Sequence, residues 1–249
     1  MGKKGGSRHL KRKPAPKFWP IHRKEYLWAT KPKPGPHSLN HSLPLTIILR
    51  DILGYAKTRR EAKIILSQGK VLVNGKIRKE EAFPVGLMDV ISIPDAEATF
   101  RLLSHEKGFI LHSVKKDESS YRLCRIENKT TITSDSVQLN LHDGTNKLIK
   151  IPDRESSSED IYQVFDVIKV AIPNDEIISK IELAKNSVAL ITGGKNRGAY
   201  GKIIEVEEAP GKKRRLLLAT IEDAAGSRFQ TILDFIFVIG DSEQSLPMP

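Results

Sequence analysis

Lys and Arg set among aromatic rings neutralise phosphates and stack on bases, and this chain gathers both at its start. Up to Asn40 it holds eleven of its 41 Lys and Arg but only one of its 30 acids, Glu25, so nearly all of the +11 net charge lies there. Lys3, Lys4, Arg8, Lys11, Arg12, Lys13, Lys17, Arg23 and Lys24 lead that block. Phe18, Trp19, Tyr26 and Trp28 are interleaved with the cations, and a merely solvated tail has no use for rings. Trp19 and Trp28 are therefore assigned to RNA contact beside the cations. The competing uses are docking on a neighbouring protein and a plain solvated or nuclear-targeting extension. Pro14, Pro16, Pro20, Pro32, Pro34 and Pro36 break the block up. Repelling charge and prolines together predict an arm, residues 1–40, that forms no helix and no core of its own and orders on a polyanion.

A second stretch, Gly193-Gly194-Lys195-Asn196-Arg197-Gly198-Ala199-Tyr200-Gly201-Lys202, has the glycines of a phosphate cradle but not the spacing. A Walker loop wants Lys where Ala199 stands, and the dinucleotide pattern wants Gly where Asn196 stands. A strand follows the loop, so no helix N-terminus is offered to a phosphate. No nucleotide is expected to bind. The spacing resembles instead the KOW motif, a strand–loop–strand element of small SH3-like barrels in ribosomal proteins and transcription elongation factors. That reading puts Lys195, Arg197 and Lys202 at an RNA-facing loop. Lys212-Lys213-Arg214-Arg215 follows at a turn, where an RNA contact and an ordinary solubilising turn are equally good readings.

Catalytic groupings are not evident. The seven histidines (His9, His22, His37, His41, His105, His112 and His142) are scattered, and none sits at metal-ligand spacing with Cys or a carboxylate. Glu80 and Glu81 are expected as neighbours on a hairpin pointing to opposite faces, so they are no acid–base pair. Cys124 is the single cysteine, which allows no internal disulfide and fits a reducing compartment. No secretory signal or membrane-length apolar run is read, and 39% apolar residues suffice for small cores. No enzyme activity, cofactor, metal, membrane contact or homo-oligomer is expected.

Three folded modules must then carry the cations. The first, 41–94, opens with Ser42 as N-cap and Pro44 in the first helical turn, with Leu45, Ile48, Leu49 and Ile52 at helical spacing up to Gly54. Thr58-Arg59-Arg60-Glu61 is a capping box, and Ala62, Ile65 and Leu66 form the buried stripe of its helix. Arg59, Arg60 and Lys63 are left outside, and Lys70 and Lys76 extend their positive face into a hairpin turned by Asn74-Gly75. The second module, 95–176, reads as short strands, with a loop at 154–160, and acids outnumber bases there by 15 to 11. A scaffold or protein-contact role suits it. The third, 177–240, is the KOW barrel, and 241–249 is a short tail. The expected fold class is mainly β with one α+β module: a basic arm, a helix–helix–hairpin domain, a central barrel-like domain and an SH3-like barrel.

The stretch TRREAKIILSQGKVLVNGKI resembles the S-four RNA-binding domain. The order of modules resembles the archaeal and eukaryotic small-subunit ribosomal protein S-four-e family. The stretches that carry this are HLKR (His9 to Arg12), Ala15-Pro16-Lys17 with Trp19, Pro34-Gly35-Pro36-His37, Leu43-Pro44-Leu45 and FPVGLMDVISI (Phe83 to Ile93). Further on they are Phe100-Arg101-Leu102, Gln138 to Gly144, Ile191 to Gly194 and Phe237 to Gly240. Two positions depart from the family: Ala199 stands where it usually has arginine, and Phe165 where it usually has glycine. The end shortly after Gly240 is similar to archaeal members. The resemblance implies a structural constituent of the cytoplasmic ribosome, working in translation beside small-subunit ribosomal RNA and neighbouring ribosomal proteins. An RNA-modifying enzyme or a KOW-type transcription factor is the competing expectation.

Overall fold

The computed structural model describes residues 7–115, 118–133, 136–150, 161–207, 211 and 213–240. Lys3, Lys4, Lys212, the loop at 154–160 and the tail at 241–249 lie outside the described residues.

The arm is not the coreless segment that its charge and prolines predict. Its strands β1 (Leu10–Lys11) and β2 (Trp28–Ala29) pair antiparallel, with Leu10 opposite Ala29. Between them the chain folds inward in an irregular path. Leu10, Ala15, Trp19 and Ile21 are buried in one core with Leu43, Leu49, Val85 and Leu102. Trp19 is only 2% exposed, and its indole Nε1 donates to the Ser42 carbonyl at 3.0 Å. Prolines and like charges forbid a helix, but they do not forbid irregular packing. The apolar side chains turn in while Lys11, Lys13, Lys17, Arg23 and Lys24 stay exposed.

After the arm, β3 (Ser42–Pro44) leads into helix α1 (Leu45–Ile47), which continues as a wider π-helical turn over Ile48–Ile52. Ser42 is therefore in a strand, with its hydroxyl donating to the Ser38 carbonyl at 2.8 Å, and Pro44 takes the N-cap position. Helix α2 (Arg59–Ser67) starts as the capping box requires. The Glu61 N–H donates to Thr58 Oγ1 at 3.2 Å, and the Glu61 carboxylate accepts from the Lys57 N–H at 2.8 Å. Strands β4 (Leu72–Val73) and β5 (Lys76–Ile77) flank Asn74 and Gly75, whose φ values of 50° and 74° suit the primed turn of a tight hairpin.

Strand β6 (Pro84–Gly86) returns to pair with β3. Then β7 (Val90–Ile93), β8 (Ala98–His105) and β9 (Gly108–Ser113) complete a five-stranded sheet in the order β5-β4-β7-β8-β9. Val90 lies opposite Arg101, so the sheet runs straight through the boundary expected at residue 94.

The central sheet is antiparallel in the order β12-β11-β10-β13-β14. It comprises β10 (Tyr121–Thr133), β11 (Ser136–Leu141), β12 (Asn146–Lys150), β13 (Val167–Ala171) and β14 (Ile177–Ile181). Strand β14, expected to open the third module, belongs here instead, with Ile181 opposite Val167. Phe165, in the family's glycine position, has φ 77° and is 1% exposed, with the Arg125 guanidinium 5.5 Å from its ring. Burial of a large ring holds a backbone geometry that glycine adopts without strain.

The third sheet comprises β15 (Val188–Ile191), β16 (Tyr200–Val206), β17 (Leu218–Glu222), β18 (Arg228–Ile232) and β19 (Ile236–Gly240). Its order is β18-β17-β16-β15-β19. Before β17 the chain makes a 3-10 turn over Arg214–Leu216. The apolar face of this sheet packs with Met88, from the turn before β7, and with Leu103, Leu123 and Val167 from the two preceding sheets. The modules share cores and are not beads on a string.

Candidate nucleic-acid interface

Helix α2 presents its cations as the periodicity requires, but they are not equivalent. Ala62 and Leu66 are buried, while Arg59, Arg60 and Lys63 are exposed. Arg59 is committed to Glu81 through two hydrogen bonds, Nε to Oε2 at 3.0 Å and Nη2 to Oε1 at 2.6 Å. That fork holds the Glu81 carboxyl below its ordinary range. Arg60 and Lys63 have no ion pair among the described residues. Lys70 reaches Asp95 at 2.9 Å and Lys76 reaches Asp175 at 2.7 Å, so two hairpin cations are partly neutralised inside the chain. Glu80 pairs with Lys33 at 2.6 Å and lies past the β4–β5 hairpin, its carbonyl accepting the Phe83 N–H at 3.2 Å in a turn.

In the arm, the two tryptophans part company. Trp19 is a core residue and is corrected out of the RNA-contact set. Trp28 is 53% exposed, with the His9 ring 5.5 Å away and Lys11 Nζ 5.7 Å from its centroid. Beside it Tyr26 and Leu27 are also exposed, and Arg50 lies 5.0 Å from the Tyr26 ring. His9 and Arg50 were not legible as members of this patch, because no spacing links the arm hairpin to α1. Arg12 is used internally, its Nε and Nη2 donating to the Ile21 carbonyl at 3.0 and 2.7 Å. Arg8, Lys11, Lys13, Lys17, Arg23 and Lys24 are exposed.

The glycine loop between β15 and β16 is seated on the protein itself. Gly198 has φ 87°, and a Cβ there would stand 2.6 Å from the Glu106 backbone nitrogen, so the β8–β9 turn and the loop touch backbone to backbone. Lys195 and Lys202 are exposed, as the sequence requires of RNA-facing groups. Arg197 is not at the tip. Its Nε donates to Ser104 Oγ at 3.0 Å, and its guanidinium lies 5.2 Å from the Phe18 ring and 4.8 Å from the Phe109 ring. The loop turns it inward, where burial lowers its pKa.

Behind that loop, arm, first sheet and central sheet meet on buried polar groups. His37 Nε2 is 3.0 Å from Asp89 Oδ2, which also accepts the Gly86 N–H at 2.8 Å. Asn74 Nδ2 donates to Asp89 Oδ1 at 2.7 Å. Despite burial, His37 and these donors hold the Asp89 carboxyl down at about 2, and Asp89 in turn raises His37. His142, whose ring centroid is 5.9 Å from that of His37, accepts the Arg125 N–H at Nδ1 (3.1 Å) and faces the Leu87 carbonyl through Nε2 (3.1 Å). Burial and the neighbouring positive His37 push His142 down to about 4, so it is neutral. Arg122 bridges Asp143 and, at 3.0 Å, Asp175. Cys124 is free and buried, its thiol pushed well up by burial. Among the described residues no group of three His, Cys, Asp or Glu could hold a metal ion. Nor is any described helix long and apolar enough to cross a membrane.

A capping-box helix on a five-stranded sheet, followed by two more five-stranded antiparallel sheets, defines a multi-module protein of the S4-domain class. A family model described as "Ribosomal family S4e" matches residues 96–177, "S4 domain" matches 44–91 and "RS4NT (NUC023) domain" matches 4–40. A relative from Staphylothermus marinus, "Small ribosomal subunit protein eS4", is 46% identical over 250 residues, covering 100% of this chain and 98% of the relative. A second of that name, from Methanocaldococcus jannaschii, is 46% identical and covers 98% of each chain. The crystal structure of the 30S ribosomal protein S4e from Thermoplasma acidophilum superposes with a TM-score of 0.67 at 30% identity, covering 82% of this chain and 98% of that one. The chain belongs to the eS4 family of small ribosomal subunit proteins.

Proposed function

We propose that this chain is a structural constituent of the small ribosomal subunit that binds ribosomal RNA on three exposed surfaces. These are Arg60 and Lys63 on α2, the Trp28 hairpin with Lys11 and its neighbouring cations, and Lys195 and Lys202 beside the glycine loop. The central sheet, with few free cations and Leu148 60% exposed on its edge strand β12, suits contact with neighbouring ribosomal proteins. The site of action is the cytoplasmic ribosome. The observation that carries the reading is the match over the whole chain to relatives named as small-subunit proteins, joined to a helix face whose exposed Arg60 and Lys63 form no ion pair among the described residues.

The test is cofractionation of the tagged chain with small subunits, followed by binding to ribosomal RNA fragments. Arg60→Glu with Lys63→Glu should leave the fold intact, since neither side chain touches a core. Two lost phosphate contacts should lower the log–log salt slope by about 1.4–1.8. A folded double variant with an unchanged slope would remove α2 from the interface.

A further inference from the structure

A cleft of about 490 Å³ opens where the arm, the first sheet, the central sheet and the third sheet converge. That size lies in the range of small-ligand pockets, about 300–1,000 Å³. Its walls combine the part-exposed rings of Phe109 and Phe235, with Phe237 buried behind them against His142, and the cations Arg125, Arg197 and Arg215, and His41 stands at the arm side. The cations are not equally free. Arg125 donates to Glu127 Oε1 at 2.9 Å and to the Asp234 and Ile236 carbonyls at 2.8 Å. Arg215 donates to the Glu127 carbonyl at 3.1 Å and lies 3.6 Å from its carboxylate. Arg197, held over Phe18 and Phe109 and tied to Ser104, has no carboxylate within ion-pair distance among the described residues. A guanidinium withdrawn from water without a counter-charge is costly, and an incoming anion offsets that cost.

We propose that this cleft takes one unpaired ribonucleotide, its phosphate on Arg197 and His41 and its base against the phenylalanine wall. The inference rests on the RNA-binding reading above and adds to it an inserted nucleotide. Stacking on rings tolerates any base, and the cations favour the backbone phosphate. An acidic peptide would leave that aromatic wall unused. The groups facing His41 are Arg197, His37, Arg125 and Asp234. Burial and the three cations hold His41 below its ordinary value, with Asp234 opposing them. A bound phosphate reverses that balance, so His41 gains a proton as RNA enters.

The experiment uses the full chain with a fluorescein-labelled pentauridine RNA, with uridine monophosphate and hexaglutamate as the other two probes. Arg197→Gln keeps the stem against the rings and removes the charge. It should weaken pentauridine binding about tenfold and lower the salt slope by about 0.7. Imidazole NMR should show the His41 pKa rising on saturation with pentauridine in the parent chain and not in Arg197→Gln. Equal binding by both chains, or a His41 pKa that RNA does not move, would overturn the proposal. Submillimolar binding of uridine monophosphate would make the cleft a free-nucleotide site, and hexaglutamate displacing pentauridine at equal affinity would make it a peptide site. Each of those also overturns it. If Arg197→Gln does not fold, photocrosslinking of a 4-thiouridine pentamer to the parent chain decides. Crosslinks at Phe109 or Phe235 support the cleft, and crosslinks confined to the arm and α2 refute it. Ribosomal RNA fragments that bind the parent chain and Arg197→Gln alike would refute the cleft and leave the wider reading standing. Their failure to bind at all would remove that reading with it.

Discussion

His37 and His142 sit ring against ring and are driven in opposite directions. His37 gains Asp89 and is raised above 6.5, whereas His142 is closed off from water and lowered to about 4. The unfolded chain protonates both near 6.5. Between pH 6.5 and about 4 the unfolded state therefore takes up a proton at His142 that the folded state refuses, so stability falls as pH falls through that window. For His37 the sign is reversed. Its contribution is complete below pH 6.5 and is lost as pH rises through the raised folded value. These two groups alone place their combined optimum near pH 6.5. Chemical denaturation between pH 4 and 8 should show His142→Gln flattening the acid limb while the alkaline limb persists. An acid limb as steep in the variant as in the parent would assign it to the carboxylates instead.

Among the elements, the hairpin β4–β5 shows how far local chemistry reaches. Asn74-Gly75 specifies the turn, and both residues adopt the positive φ it requires. What no local pattern announces is that this turn docks on the central sheet. A Cβ on Gly75 would lie 2.7 Å from Ile172 Cγ2 and 3.0 Å from Pro173 Cβ. Gly75→Ala therefore carries both a left-handed backbone and a collision between modules. It should cost more than the roughly 1 kcal/mol of the backbone alone, about 2–3 kcal/mol by urea denaturation. A cost under 1 kcal/mol would mean that the two sheets part easily there. Capping box, α2 stripe and most strands were legible because each is written in contiguous residues. The sheet that crosses residue 94, and β14 joining its predecessor, depend on pairings between segments that periodicity does not see. The α2 cations were legible as a face, but Arg59's partner Glu81 and Arg197's inward turn required the fold.

For the molecule as a whole, the arm changes most between sequence and structure. Charge and proline content point to a tail that can be removed without loss of stability, at the cost of RNA affinity alone. The buried Leu10, Ala15, Trp19 and Ile21 have no helical or strand period, which is why they escape pattern reading. With Trp19 in the core, deleting residues 1–40 should lower the melting temperature sharply as well as weaken RNA binding. The point variants separate the two effects. Trp19→Ala should cost about 3–5 kcal/mol of stability, the usual range for emptying a buried aromatic site. Trp28→Ala should leave stability within about 0.5 kcal/mol and remove about 1–3 kcal/mol of RNA affinity. A truncated chain that melts at the parent temperature would return the arm to the status of an unattached tail.

Seating the arm against late-synthesised strands also sets a schedule. Phe18 rests edge-on against Phe109, at 5.3 Å between centroids, and the core around Trp19 includes Leu102. About ninety residues separate Phe18 from Phe109, and translation adds about 5–20 residues per second. For about 5–18 s, then, a nascent chain carries its cationic leader with its seat incomplete, since Leu43 and Leu49 are made early but Leu102 and Phe109 are not. During that interval the segment is open to any polyanion within reach. Newly made copies of this protein are thus the ones most exposed to mispairing with RNA, and the ones for which an escort that shields the first forty residues would matter.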